Sequence, residues 1–189
     1  MVLKEADKVF FNENRVSRIY LESDLVYEYI PNPITASFVP SGYTNLTNYQ
    51  VASGYPITNG YSGTDDKSYA RLQLTANTSG HVDYTIDTSS IPRWAVIRSI
   101  TCKVRVAISS RMADATVQLY SGTTAKGSAS AITSTSTSNI EQLVPGSWTR
   151  AELSDMRIHV ASRGASGGGS INQRSLYFYG ADISITYVA

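Results

Sequence analysis

From Val96 to Ser109 the sequence reads as one long strand, with Ile100, Cys102, Val104, Val106 and Ile108 on one side. Only an extended chain, whose successive side chains point to opposite faces, puts those five on a common surface. The same period recurs in His81 to Ile86, where Val82, Tyr84 and Ile86 share one face and His81, Asp83 and Thr85 the other. It recurs again in Tyr69 to Leu74, Ala115 to Tyr120 and Met156 to Ala161. Ser175 to Val188 alternates through Leu176 and Phe178, then through Ile183, Ile185 and Tyr187, which predicts a bulge at Gly180 where the phase shifts.

Composition agrees with this pattern. Charged residues make up 16% of the 189, against roughly a quarter in an average soluble domain. Ser, Thr, Gly and Tyr replace them, and Thr and Tyr favour strands. The 13 tyrosines outnumber 4 phenylalanines and 2 tryptophans, which suits half-exposed sheet faces where a ring is buried and its hydroxyl stays wet. Residues 36–68 are turn-rich, marked by Ser41-Gly42, Asn59-Gly60 and Ser62-Gly63. The small polar stretch 123–138 carries one expected strand, Ser128 to Thr133. Thr149-Arg150-Ala151-Glu152 fits a capping box and predicts a short helical turn near 150–155. Gly164 to Ser170 offers nothing to bury and is expected to be a flexible loop. Many short antiparallel strands, one capped turn and no βαβ alternation predict an all-β fold, an antiparallel, jelly-roll-like β-sandwich.

The first thirty residues differ. Lys8 to Val16 aligns with Arg18 to Val26 as a short repeat of basic, aliphatic, aromatic and polar residues. Its apolar runs and the polar triplets Asn12-Glu13-Asn14 and Glu22-Ser23-Asp24 predict a small N-terminal β meander with strands at 8–11, 15–21 and 25–30. Such a unit is too small to bury a core of its own. Pro31-Asn32-Pro33 breaks the pattern, so the expected division is a β-repeat at 1–30, a linker at 31–35 and the sandwich at 36–189.

The search for chemistry returns little. The net charge is +1 with no basic run, which leaves no electrostatic footprint for nucleic acid. No segment approaches the ~20 apolar residues that span a bilayer, and the opening residues read as no secretory signal, so folding in a cytoplasm is expected. Cys102 is the only cysteine and is expected to be a buried, inert thiol. His81 with Asp83 and Asp87 could be read as metal ligands, but a solvated strand face is the ordinary reading, and His159 stands alone in its strand. Asp65-Asp66 reads as a polar turn rather than a calcium loop. Ser166 lacks the strand-to-helix context of a nucleophile, and Glu141 and Glu152 have no evident carboxylate partner. No enzyme, metal or cofactor is expected. The tyrosines are the remaining resource: Tyr43, Tyr49, Tyr55 and Tyr61, with Asn59, form a candidate ligand surface beside Asn45, Asn48, Asp65 and Tyr69. The alternative is that these rings close one end of the sandwich.

Two stretches carry a family resemblance. The doubled unit ending in Val26-Tyr27 resembles the β-repeat that opens many minor structural proteins of tailed bacteriophages of Gram-positive hosts. The segments Ile97 to Val104, Val117 to Gly127, Trp148 to Leu153 and Phe178 to Asp182 look like a β-sandwich module of phage virion proteins. The resemblance implies a non-catalytic virion protein: a head fibre, capsid decoration or tail appendage. It would be anchored to other capsid or tail proteins through Val9, Phe10, Phe11, Ile19, Tyr20, Leu21, Val26 and Tyr27. By analogy with fibres it would be a homo-oligomer, with a trimer favoured. The rival expectation is a host-receptor module that binds cell-wall carbohydrate through the tyrosine loops. Neither reading involves nucleic acid or a membrane.

Overall fold

The computed structural model describes residues 10–11, 14–15, 18–21, 24–28, 32–64, 67–135, 139–143 and 145–189. In chain order the strands are β1 (Phe10–Phe11), β2 (Asn14–Arg15), β3 (Arg18–Leu21), β4 (Asp24–Glu28), β5 (Ile34–Phe38), β6 (Gly42–Thr47), β7 (Gln50–Val51), β8 (Ala70–Gln73), β9 (Ser79–Thr85), β10 (Val96–Ile108), β11 (Met112–Ser121), β12 (Thr124–Ala131) and β13 (Asn139–Leu143). The helical turn α1 (Arg150–Leu153) follows, then β14 (Met156–Gly164) and β15 (Ser175–Val188).

Eleven of these strands, β5 to β15, build two antiparallel sheets. One runs β13-β10-β15-β8-β7, with β5 also paired to β15; the other runs β12-β11-β14-β9-β6. The chain passes repeatedly from one sheet to the other, as a jelly-roll-like sandwich requires. Alternation predicted from sequence is what each strand buries: Cys102, Val104 and Val106 face inward from β10, Val82 and Tyr84 from β9, Ile183 and Ile185 from β15, all with no exposed surface. Across the middle of the core Tyr84 lies flat on Phe178, with ring centroids 4.0 Å apart and planes 14° apart. The Cys102 thiol is buried there, and burial, with the Asp182 charge second, pushes it up to about 12. It is a core atom, not a reactive one.

β15 is the hub. Its near edge pairs with β10 from Val96–Val188 to Ile108–Leu176. Its far edge is divided: β8 covers Ser175 to Phe178 and β5 covers Ile183 to Tyr187. Between them the loop residue Ser62 takes the ladder position, accepting a hydrogen bond from the Ala181 amide at 2.9 Å. The register shifts there, between Arg105 and Val106, and Gly180 adopts φ +146°. Gly180 is therefore the predicted bulge, and a Cβ at that position would collide with the Ser62 carbonyl.

Other expectations meet small differences with physical causes. Among the described residues the N-terminal repeat forms two antiparallel pairs, β1–β2 and β3–β4. Val9, Asp65 and Asp66 lie outside the described residues. β5 begins at Ile34, inside the expected linker, because a β-branched pair follows Pro33 directly and joins β15. The turn-rich stretch hides β5, β6 and β7, edge strands too exposed to show apolar alternation. β12 starts four residues earlier than expected, at Thr124.

The expected helical turn is present, with both capping-box bonds around Thr149 and Glu152. The Lys126 ammonium, 2.7 Å away, is the first cause that holds the Glu152 carboxyl down to about 2, followed by the Thr149 amide. The Gly164–Ser170 loop is not loose. Arg174, 2% exposed, donates to the carbonyls of Ala165, Gly167, Gly168 and Gly169 and organises the loop around its guanidinium.

Gly180→Val should lower the unfolding free energy by about 2 kcal/mol or more, through left-handed strain and displacement of Ser62. Denaturant titration measures this, and a loss within about 0.5 kcal/mol would refute the account of the bulge.

Candidate functional site

Alternation that buries Leu176 and Phe178 turns Tyr177 and Tyr179 outward from β15. Next to them on the outer face, Arg71 stands opposite Tyr177 in β8, and Tyr69 immediately precedes that strand. The result is a ring cluster. Tyr55 stacks on Tyr69 with centroids 4.8 Å apart and planes 14° apart. Tyr69 meets Tyr177 edge-on at 5.5 Å and Tyr179 at 5.0 Å. Two guanidiniums lie over the rings, Arg71 at 5.7 Å from the Tyr177 centroid and Arg105 at 4.9 Å from that of Tyr179. Arg71 is itself oriented by Ser175 Oγ at 3.1 Å and the Asn172 carbonyl at 2.8 Å. Burial first, then the hydroxyls of Tyr55, Tyr179 and Tyr177, push the Tyr69 phenol up to about 12. The arrangement offers partly exposed ring faces and edges, phenol hydroxyls and fixed cationic donors on a rigid sheet.

The sequence-predicted tyrosines therefore part company. Tyr55 belongs to this cluster. Tyr49 does not reach any surface: it is 8% exposed, and its hydroxyl bonds Ser162 Oγ at 2.6 Å inside the sandwich. Burial drives its phenol pKa upward, only partly opposed by that bond. Tyr61 is partly buried, edge-on to Tyr84 at 6.4 Å, and Tyr43 lies in β6, 42% exposed and opposite Tyr84 in register. Asn59 ties its loop together by donating to the Tyr69 carbonyl at 3.1 Å. Tyr177, Tyr179, Arg71 and Arg105 were not singled out from sequence. The outward half of the β15 alternation was the available signal, once its inward half had been recognised. Of the anchor residues, Phe10, Phe11, Ile19, Tyr20, Leu21, Val26 and Tyr27 all lie in the paired strands of the two hairpins.

A second polar cluster occupies the outer face of the other sheet. Asp83 accepts hydrogen bonds from His159 Nδ1 and Asn45 Nδ2, each at 2.6 Å, and Arg157 stands 3.7 Å away. The His81 and Tyr120 rings flank His159 at 5.3 and 4.8 Å. Burial raises the Asp83 pKa, but the bonds from His159 and Asn45 and the charges of His159 and Arg157 outweigh it, and the carboxyl titrates below its usual range. Asp87 is on an exposed loop, bonded to the Ser89 amide at 2.9 Å, not part of this cluster. Among the described residues no group of three His, Cys, Asp or Glu side chains could hold a metal ion. His159 is thus committed to Asp83 through Nδ1. No helix among those residues is long and apolar enough to cross a membrane.

No protein-family model matches the chain, and no curated protein matches it. Among solved structures, CBM35 from Paenibacillus barcinonensis is similar at 17% identity and a TM-score of 0.39, over 82% of this chain and 98% of that one. The infectious bursal disease virus Gx strain structure is similar at 14% identity and a TM-score of 0.34, over 91% of this chain and 37% of that chain. A T13 viral particle of the same virus gives 13% identity and a TM-score of 0.33, over 90% and 36%. The chain spans a little over a third of those viral chains.

Because the folded-state Asp83 pKa lies below the unfolded value near 4, its contribution to stability is complete above that value and is lost as pH falls through the folded one. Thermal unfolding of the native protein should therefore show a steeper acid decline than Asp83→Asn below about pH 4. Parallel declines would remove Asp83 from the acid limb.

Proposed function

We propose that this chain is a non-catalytic structural protein of a virus particle, anchored by its N-terminal β-repeat and displaying the sandwich on the particle surface. The observation that carries this reading is the unequal self-sufficiency of the two parts. Among the described residues the strands of β1–β2 and β3–β4 pair within their own hairpins, whereas the sandwich is closed around its own core. A two-stranded hairpin alone is at best marginal in water and calls for a surface to lie on. The family resemblance of the repeat supplies the partner class, capsid or tail proteins of a tailed phage, and a head fibre, capsid decoration or tail appendage is the corresponding place. A homo-oligomer, trimeric by analogy with fibres, fits this role.

A second reading is favoured by the ring cluster. Tyr55, Tyr69, Tyr177 and Tyr179 with Arg71 and Arg105 form a surface on which host cell-wall carbohydrate could stack and hydrogen-bond, making the sandwich a receptor-binding module.

Deletion of residues 1–30 should abolish incorporation into particles while the sandwich keeps its cooperative thermal transition. A truncated protein that still loads onto particles would overturn the anchor. Cryo-electron microscopy of whole particles then places the sandwich on head or tail. For the second reading, purified protein should sediment with host cell walls, and Tyr55→Ala or Tyr177→Ala should weaken that by about tenfold, the loss of one stacking partner. Equal binding by both variants would exclude the ring face.

A further inference from the structure

Where β9 leaves its sheet, the loop at 86–95 and α1 line a common groove of about 710 Å³. That volume lies within the roughly 300–1,000 Å³ of ordinary small-ligand sites. The two walls are fastened to each other. Arg150 of α1, half-buried, donates Nε to the Ile91 and Pro92 carbonyls at 3.0 and 3.1 Å, and Nη2 to that of Ile91 at 2.7 Å. From the loop side, the Thr88 hydroxyl donates to the Leu153 carbonyl at 2.9 Å. A ligand entering here would not have to order the walls, which lowers the entropic cost of binding.

The charges that line the groove do not neutralise one another. Arg93 sits in the β-turn that the Ala95 amide closes on the Pro92 carbonyl at 3.0 Å. It is exposed and makes no hydrogen bond or ion pair among the described residues. Arg150 spends Nε and Nη2 on the clamp, and its Nη1 has no partner among those residues. Asp87 lines the same groove but bonds the Ser89 amide rather than either guanidinium. Two guanidiniums against one carboxylate leave the groove net cationic. The Ser154 hydroxyl gives its proton to the Ala151 carbonyl at 2.8 Å, so towards a ligand it can only accept. Ile86, 4% exposed, adds an apolar contact. Cationic donors, separate acceptors and a small apolar surface fit a body with hydroxyls, C–H groups and one anionic group. We propose that this groove binds a small anionic polyol, a sugar carrying a phosphate or a carboxylate. Arg93 and Arg150 Nη1 donate to its anionic group, and Asp87 and Ser154 accept from its hydroxyls. The site is separate from the tyrosine cluster, which stands on the other sheet, and goes beyond the carbohydrate reading given for that face.

The test is calorimetric titration of the full-length protein with glucose 6-phosphate, glucuronate, glucose and inorganic phosphate. The two acidic sugars should bind, and glucose and inorganic phosphate should each bind about tenfold more weakly, one lacking the charge and the other the hydroxyls. Arg93→Gln, at an exposed position, should weaken glucose 6-phosphate about tenfold while the thermal transition is retained. Raised salt should weaken it too. Asp87→Asn should narrow the preference for glucose 6-phosphate over inorganic phosphate, because the acceptor for the sugar hydroxyls is lost. Tyr177→Ala should change nothing, which separates this groove from the ring face. Failure of both acidic sugars to bind at millimolar concentration would overturn the proposal, as would equal binding of glucose and glucose 6-phosphate. Native affinity in Arg93→Gln would place the ligand elsewhere, and its loss in Tyr177→Ala would move it to the ring face. Inorganic phosphate binding as tightly as glucose 6-phosphate would reduce the groove to an anion site and overturn the polyol.

Discussion

The sandwich depends on one strand serving three neighbours along one edge. β15 must accept β8, then the Ser62 carbonyl, then β5, within fourteen residues. A regular ladder cannot do this, because β8 and β5 arrive from different loops and no common register suits both. The Gly180 bulge resolves the conflict by resetting the phase between the two halves. Phe178 below it and Ile183 above it then both point inward, one onto Tyr84 and the other into the same core.

The two outer faces differ in chemistry because their strands carry different residues at outward positions. On one face, tyrosines and arginines interlock by ring contacts that tolerate water. On the other, a single carboxylate gathers an imidazole, an amide and a guanidinium.

What the sequence made legible is what local physics decides. Alternation in β9, β10 and β15, the Thr149–Glu152 cap and the Gly180 bulge all follow from the residues within the element concerned. What it concealed depends on distant partners. Tyr69 meets Tyr177 only because β8 lies on β15, a pairing across more than a hundred residues. Tyr49 looked exposed because its neighbours are polar, yet Ser162 gives its hydroxyl a place inside. The glycine run looked loose because the residue that orders it, Arg174, lies beyond the run.

The strand order also sets a timetable. Ile34, at the start of the sandwich, pairs with Tyr187, and β15 occupies the middle of its sheet, so the sandwich cannot close until β15 has been synthesised. Long-range closure of this kind is slow, whereas hairpins form in microseconds. A nascent chain cut short before β15 would lack the strand that joins β10, β8 and β5, and its sandwich could not close.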